Sequence, residues 1–195
     1  MPEKPLLVVL TGPSGVGKDT VLAELRAKGA HGFPVNATTR ERRPGEHEGK
    51  DYYYLTHKEF ERRIDDGAFL EHAVVYGQRK GVLREEVRKI LDSGRDAVLR
   101  TDIQGARYIK SIVPGAITIF IAPPSFEEME QRMLGRGGDS PEQVKVRLET
   151  ALEEMDAAPE FDYCVVNDDL EHCVEEIEAI LQNERGRSDR EPTVV

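Results

Sequence analysis

The sequence predicts an α/β fold: a parallel central sheet flanked by helices, with two insertions. Three observations predict it. Apolar, β-branched runs alternate with segments of helical period. A glycine-rich loop joins the first apolar run to the first helical segment. Two polar, arginine-rich stretches, at about 36–81 and 131–140, break the alternation, as binding flaps and lids do.

The elements follow in order. The first strand is LLVVL, Leu6 to Leu10, a short run that leads straight into GPSGVGK and so reads as a buried strand rather than a signal peptide. KDTVLAELRAK then puts Val21, Leu22 and Leu25 on one helical face. Later strands are DAVLRTD (Asp96 to Asp102), AITIFIA (Ala116 to Ala122) and DYCVVN (Asp162 to Asn167). Thr56-x-x-Glu59, Ser125-x-x-Glu128 and Ser140-x-x-Gln143 match the capping box, and Pro141 suits a first helical position. The helix from Pro141 places Val144, Leu148, Ala151, Leu152 and Met155 on one face; the last helix does so with Leu170, Val174, Ile177 and Leu181. The tail, 185–195, has little apolar content and is expected to be flexible.

Composition narrows the function. With 195 residues the chain suits one sizeable domain, and 38% hydrophobic against 33% charged residues is a globular balance. A formal net charge of −10 argues against a nucleic-acid polymer as partner, so any anion site must be a local cluster of Arg and Lys. No apolar run approaches a membrane span. Cys164 and Cys173 lack metal spacing and suit a reducing cytoplasm, which is the expected location.

The loop from Gly12 to Thr20 (Gly12, Pro13, Ser14, Gly15, Val16, Gly17, Lys18, Asp19, Thr20) carries the first chemistry. Its glycines let successive N–H groups point at one oxyanion, the helix N-terminus adds favourable charge, and Lys18 reaches the β- and γ-phosphates. Asp19 stands where this motif has a hydroxyl. TTRERRPGE gathers Arg40, Arg42 and Arg43, either a phosphate clamp or a solvated basic turn, and Tyr52 and Tyr54 beyond it share a strand face. Arg132 and Arg136, four apart, and Arg147 could close on a transferring phosphoryl group; taken singly, each reads first as a solvated helix charge. Glu71 and Asp102 are carboxylates, and Asp102 ends a strand, where α/β sheets bind ligands. Ionised carboxylates only accept hydrogen bonds, so a pair suits guanine, whose amino group and ring N–H form a donor pair that adenine lacks.

GPSGVGK, TTRERRPGEHEGKDYYY, GAFLEHAVVYG, DIQGAR, IFIAPPS, RMLGRGGDS and VVNDDLE, in that order over about Leu6 to Leu181, resemble the guanylate kinase family. The resemblance implies a P-loop kinase fold: a core at 1–35, 82–124 and 150–184, a GMP-binding region at 36–81 and a lid at 125–149. It implies ATP and GMP as substrates and Mg2+ bridging the ATP phosphates. Arg40, Arg43 and Tyr52 would hold the GMP phosphate, and Glu71 and Asp102 would read guanine. Lys18, Arg132, Arg136 and Arg147, with Arg43, would act on the transferring group, and Asn167 would lie at the adenine.

The chain departs from the family pattern at several places. Asn36 stands where Ser often touches guanine, Lys80 where a Tyr touches the GMP phosphate, Val82 where a Thr or Ser donates to the guanine carbonyl, and Arg100 where an Asp or Glu precedes Asp102 by two. Lys80 keeps a donor and adds charge. Asp19 has two readings, a magnesium ligand or a helix N-terminal carboxylate. Two other functions are weighed against GMP phosphorylation. A non-catalytic interaction module of similar fold is opposed by the intact loop; a kinase for another phosphorylated acceptor, such as a ribose bisphosphate, is opposed by the guanine-site pattern.

Overall fold

The computed structural model describes residues 4–75, 77–135, 141–191 and 193–195. The core sheet is parallel, in the order β6-β1-β7-β8, where β1 is Leu7–Thr11, β6 Ala97–Arg100, β7 Ile117–Ala122 and β8 Tyr163–Val166. Every residue of β1 and β7 is buried, because helices cover both faces. Alternation divides them. Leu6, Val8 and Leu10 pack with Val21 and Leu25 of α1 (Lys18–Lys28) and Val174, Ile177 and Leu181 of α7 (Leu170–Gly186). Leu7 and Val9 pack on the other face with Val87 of α3 (Arg84–Asp92) and Ile103, Ala106 and Ile109 of α4 (Ile103–Ile112).

A second sheet has the order β3-β2-β5-β4, with β2 at Asn36–Thr38, β3 at Tyr53–Tyr54, β4 at Phe69–Val75 and β5 at Gln78–Leu83. It is mixed: β2 runs parallel to β3 and antiparallel to β5, which pairs antiparallel with β4. The polar stretch from Asn36 thus holds a small sheet, plus α2 (His57–Asp65). Phe60 of α2 stacks on Phe69 at 4.3 Å between ring centres.

Helix starts follow their side chains. Thr56 and Glu59 form the full capping box of α2, and Ser125 Oγ accepts from Glu128 N at 3.1 Å at the start of α5 (Phe126–Gly135). Ser140 lies outside the described residues. In α6 (Pro141–Met155), Leu148 and Ala151 are buried, but Leu152 is 49% exposed, because it falls on the flank of the stripe they define. The expected flexible tail begins inside α7 and makes several contacts: Thr193 Oγ1 donates to Gly115 O, Arg190 to Lys4 O and Arg88 to Val195 O.

Candidate active site

The loop between β1 and α1 is shaped by three glycines in the left-handed region. Gly12 has φ 139°, and a β-carbon there would lie 2.2 Å from the Ile121 carbonyl oxygen. A β-carbon on Gly17 (φ 95°) would lie 2.6 Å from Asn167 Nδ2. Gly17 is also the N-cap of α1 and supplies no capping side chain, so the positive end of the helix faces the loop, with Thr20 N donating to Gly17 O at 2.9 Å. Lys18 Nζ donates to Gly12 O at 2.6 Å and Pro13 O at 2.8 Å, which holds the ammonium over the loop. Asn167, buried at the end of β8, donates Nδ2 to Val16 O at 2.7 Å; Arg132 of α5 donates Nη1 to Asn167 O at 3.0 Å. Arg132 and Asn167 line a hollow with Gly15, Gly17 and Thr20 on the outer side of the loop.

On the inner side lies a cleft of about 440 Å³ between the two sheets. Strand register explains its wall. Asn36 pairs with Val82, Glu71 with Val82 and Ala73 with Lys80, and paired residues share a face; all five line the cleft. The opposite wall comes from the loop (Gly12, Ser14, Lys18) and the end of β6 (Arg100, Thr101, Asp102).

The two carboxylates meet at one end. Asp102 caps α4, where its Oδ1 accepts from Gly105 N at 2.8 Å. Burial, and then the charge of Asp102, push the Glu71 carboxyl up to about 7. The cations lining the cleft are Lys18, Lys80 and Arg100, and Glu154 is its third carboxylate. Burial lowers the Lys80 pKa, and the positive charges of Arg100, Arg40 and Arg43 lower it further.

Arg40, Arg43 and Tyr52 do not line this cleft. Arg40 makes a two-pronged pair with Glu46 (Nη2–Oε1 2.7 Å, Nη1–Oε2 3.0 Å) and lies 5.5 Å from the Tyr52 ring centre and 5.8 Å from that of Tyr54. Glu46 also accepts from Arg43 N and Tyr54 OH, and these bonds, Arg40's first, hold its pKa down at about 2. Tyr52 borders a neighbouring hollow shared with Asn36 and Arg100. Arg136 and the side chain of Arg147 lie outside the described residues.

Asp19 points to neither of its expected settings alone. Its Oδ1 lies 3.1 Å from Arg100 Nε. Among the described residues there is no group of three or more acidic, histidine or cysteine side chains that could hold a metal. One carboxylate beside a phosphate loop still fits Mg2+ carried by ATP, because that ion takes most of its ligands from phosphates and water.

Sequence reasoning missed one cleft residue, Glu154, and one glycine packed behind Glu71, Gly105. Glu154 of α6 accepts from Ser14 N at 3.1 Å, reaching the loop from 140 positions away with no motif to mark it. Gly105 was legible only within DIQGAR; a β-carbon there would lie 3.1 Å from Glu71 Cγ and Cδ.

The family model for guanylate kinase matches residues 4–184. Guanylate kinase of Clostridium tetani is 43% identical over 188 residues, spanning 96% of this chain and 90% of the relative. That of Streptococcus agalactiae is 44% identical, spanning 97% and 92%. The crystal structure of guanylate kinase from Anaplasma phagocytophilum superposes with a TM-score of 0.75 at 34% identity, covering 96% of this chain and 90% of that one.

Proposed function

The chain belongs to the guanylate kinase family, and from that premise we propose how its own residues divide the work. It is an ATP:GMP phosphotransferase, which moves the γ-phosphoryl group of ATP to GMP and releases ADP and GDP. The observation that carries the division of roles is the company that the cleft's charged groups keep: Glu71 lies close enough to Asp102 to feel its charge, and Lys80 close enough to Arg100 to feel its charge, beside the glycine loop.

The donor lies on the loop. N–H groups of the glycine loop, the positive end of α1 and the Lys18 ammonium hold the ATP phosphates, and the adenine side extends toward Asn167 and Arg132. The acceptor lies in the cleft, its guanine edge donating to Glu71 and Asp102. Lys80, and Arg40, Arg43 and Tyr52 once the small sheet moves inward, hold its phosphate. Asn36 is the polar neighbour of Val82 that can face the guanine carbonyl. A phosphate oxygen of GMP attacks the γ-phosphorus, the bond to the β-bridging oxygen breaks, and no general base is needed. Lys18, Arg43 and Arg132, with Arg136 and Arg147, offset the charge that gathers as two anions approach. Mg2+, held chiefly by the ATP phosphates with Asp19 beside them, would neutralise part of that charge. The core (1–35, 82–124, 150–184), acceptor region (36–81) and lid (125–149) move as separate parts, and closure excludes water. Among the described residues no helix is long and apolar enough to cross a membrane. We assign the activity to the cytoplasm, a reading supported by two cysteines present as free thiols.

An ATP-coupled assay over GMP, dGMP, IMP, AMP and UMP tests the base-reading roles. GMP turnover with little AMP turnover is expected. AMP used as well as GMP would remove Glu71 and Asp102 from base recognition.

A further inference from the structure

We propose that Arg100 is a substrate-contacting residue of this enzyme: a cation at the end of β6 that binds the phosphate of the acceptor nucleotide from the core side of the cleft, opposite Lys80. The proposal rests on the assignment of the cleft as the GMP site.

Position comes first. Arg100 pairs in register with Leu10 of β1, so it emerges at the carboxyl ends of the parallel strands, next to the residues that lead into the phosphate loop. It lines the 440 Å³ cleft together with Lys18 and Lys80, and it also lines the neighbouring hollow with Asn36 and Tyr52. It is the cleft's only cation that touches both spaces among the described residues.

Its bonding is the second observation. A guanidinium has five N–H donors. Among the described residues, Arg100 makes no hydrogen bond that meets ordinary geometry; its one ion pair is with Asp19, at 3.1 Å. Both side chains are well exposed, at 41% and 67%, so water screens the pair and it holds the guanidinium only weakly. Arg185 looks different: 25% exposed, it is tied to the buried Asp96. Arg100 is therefore placed but not consumed.

The third observation is the company it keeps. Lys80 feels the positive charges of Arg100, Arg40 and Arg43, in a chain whose net charge is −10. Arg40 has Glu46 as a counter-charge. Among the described residues, the one ion pair that either Lys80 or Arg100 makes is that of Arg100 with Asp19, which the loop's own cation Lys18 adjoins in sequence. Like charges gathered this way repel unless an anion sits among them, and a phosphate dianion at this end of the cleft relieves the repulsion. Asp19 then acts as a parking place: it keeps the arginine near the loop and gives it up when the stronger anion arrives.

Direct binding of GMP and of guanosine, without ATP or magnesium, tests this by calorimetry on the full chain. Arg100→Ala should weaken GMP on the order of 10-fold or more, as expected for loss of a charge-assisted contact. Guanosine, which has no phosphate, should bind Arg100→Ala as it binds the parent, and Arg100→Lys should recover part of the GMP affinity. Unchanged GMP affinity in Arg100→Ala overturns the proposal. So does equal weakening of GMP and guanosine, which would mark a change in the shape of the site. If the parent chain binds no GMP at all, the cleft assignment itself fails, a result distinct from either.

Discussion

Glu71 rests against Gly105. The carboxylate of one sheet and the first turn of α4 in the other half of the molecule come so close that an added β-carbon at Gly105 would lie 3.1 Å from Glu71 Cγ and Cδ, and 2.1 Å from Thr101 Oγ1. The backbone there is helical, so space, not conformation, demands glycine. Gly105→Ala should therefore push Glu71 out of line. We expect a stability loss of about 1–3 kcal/mol, and a rise in KM for GMP several-fold larger than any in KM for ATP. Steady-state kinetics and a urea titration check both.

With Glu71 reading guanine as proposed, acceptor binding should depend on pH. Its carboxyl titrates at about 7 because burial disfavours the charge and Asp102 repels it. Guanine's donors need the ionised form, so GMP affinity should fall as pH drops through about 7, and Glu71→Gln should abolish that dependence while weakening GMP more than ATP. Stability has the opposite sign. A folded pKa raised above the unfolded 4.5 means that the ionised group burdens the native state above about 7. Glu71→Gln should raise the melting temperature at pH 8, and the gain should vanish near pH 4.5. Calorimetric titrations and melts across pH 4–8.5 distinguish the two effects.

Asp19 beside Arg100 gives a test of the metal. If the carboxylate assists magnesium once Arg100 has turned to the acceptor, Asp19→Ser should raise the magnesium concentration for half-maximal turnover about 3-fold or more, the scale of one weak ligand. An unchanged magnesium curve would assign Asp19 to the arginine and the helix end alone.

Asp96 anchors the far side of the core sheet. Only 4% exposed, it accepts from Leu6 N at 2.8 Å, pairs with Arg185, and lies 3.4 Å from Nδ1 of the buried His31. Burial alone would raise its pKa, but His31, Arg185 and the Leu6 N–H hold it at about 2. Asp96→Ala leaves those partners buried and should cost about 3–5 kcal/mol in a urea titration. The carboxylate's contribution is present above the ordinary 3.8 and lost as pH falls toward 2. His31, raised chiefly by Asp96 against burial, adds stability below 6.5 that is lost as pH rises through its higher folded value. The parent chain should thus be most stable between these limits, and Asp96→Ala should flatten the curve.

What the sequence revealed depended on how local each signal was. The core strands were legible because LLVVL and AITIFIA are buried on both faces, and the loop because strand, glycines, Lys18 and helix are contiguous. The small sheet was legible only as a disturbance. Its strands β2 and β3 have three and two residues, too few to show a period, and the cleft-facing side carries Asn36, Glu71 and Lys80 where an apolar alternation would have Val or Ile. The Asp19–Arg100 pair was not legible as a contact. Each departure could be seen singly, but 81 positions separate them and only the pairing of Leu10 with Arg100 brings them together. Glu154 had no signal at all, because its partner is a backbone N–H.

The stacked Phe60 and Phe69 have a consequence of a different kind. With Ala37 and Leu83 they form the one buried apolar cluster that the small sheet keeps to itself among the described residues, its Leu70 and Val82 packing with the core, while each face of the core sheet has a much larger cluster. So little interior gives that half a low cost of local opening, and its amides should exchange with solvent well before those of β1 and β7. As the proposed acceptor half, it should behave as an unfinished domain, with the bound nucleotide supplying contacts that its own side chains do not.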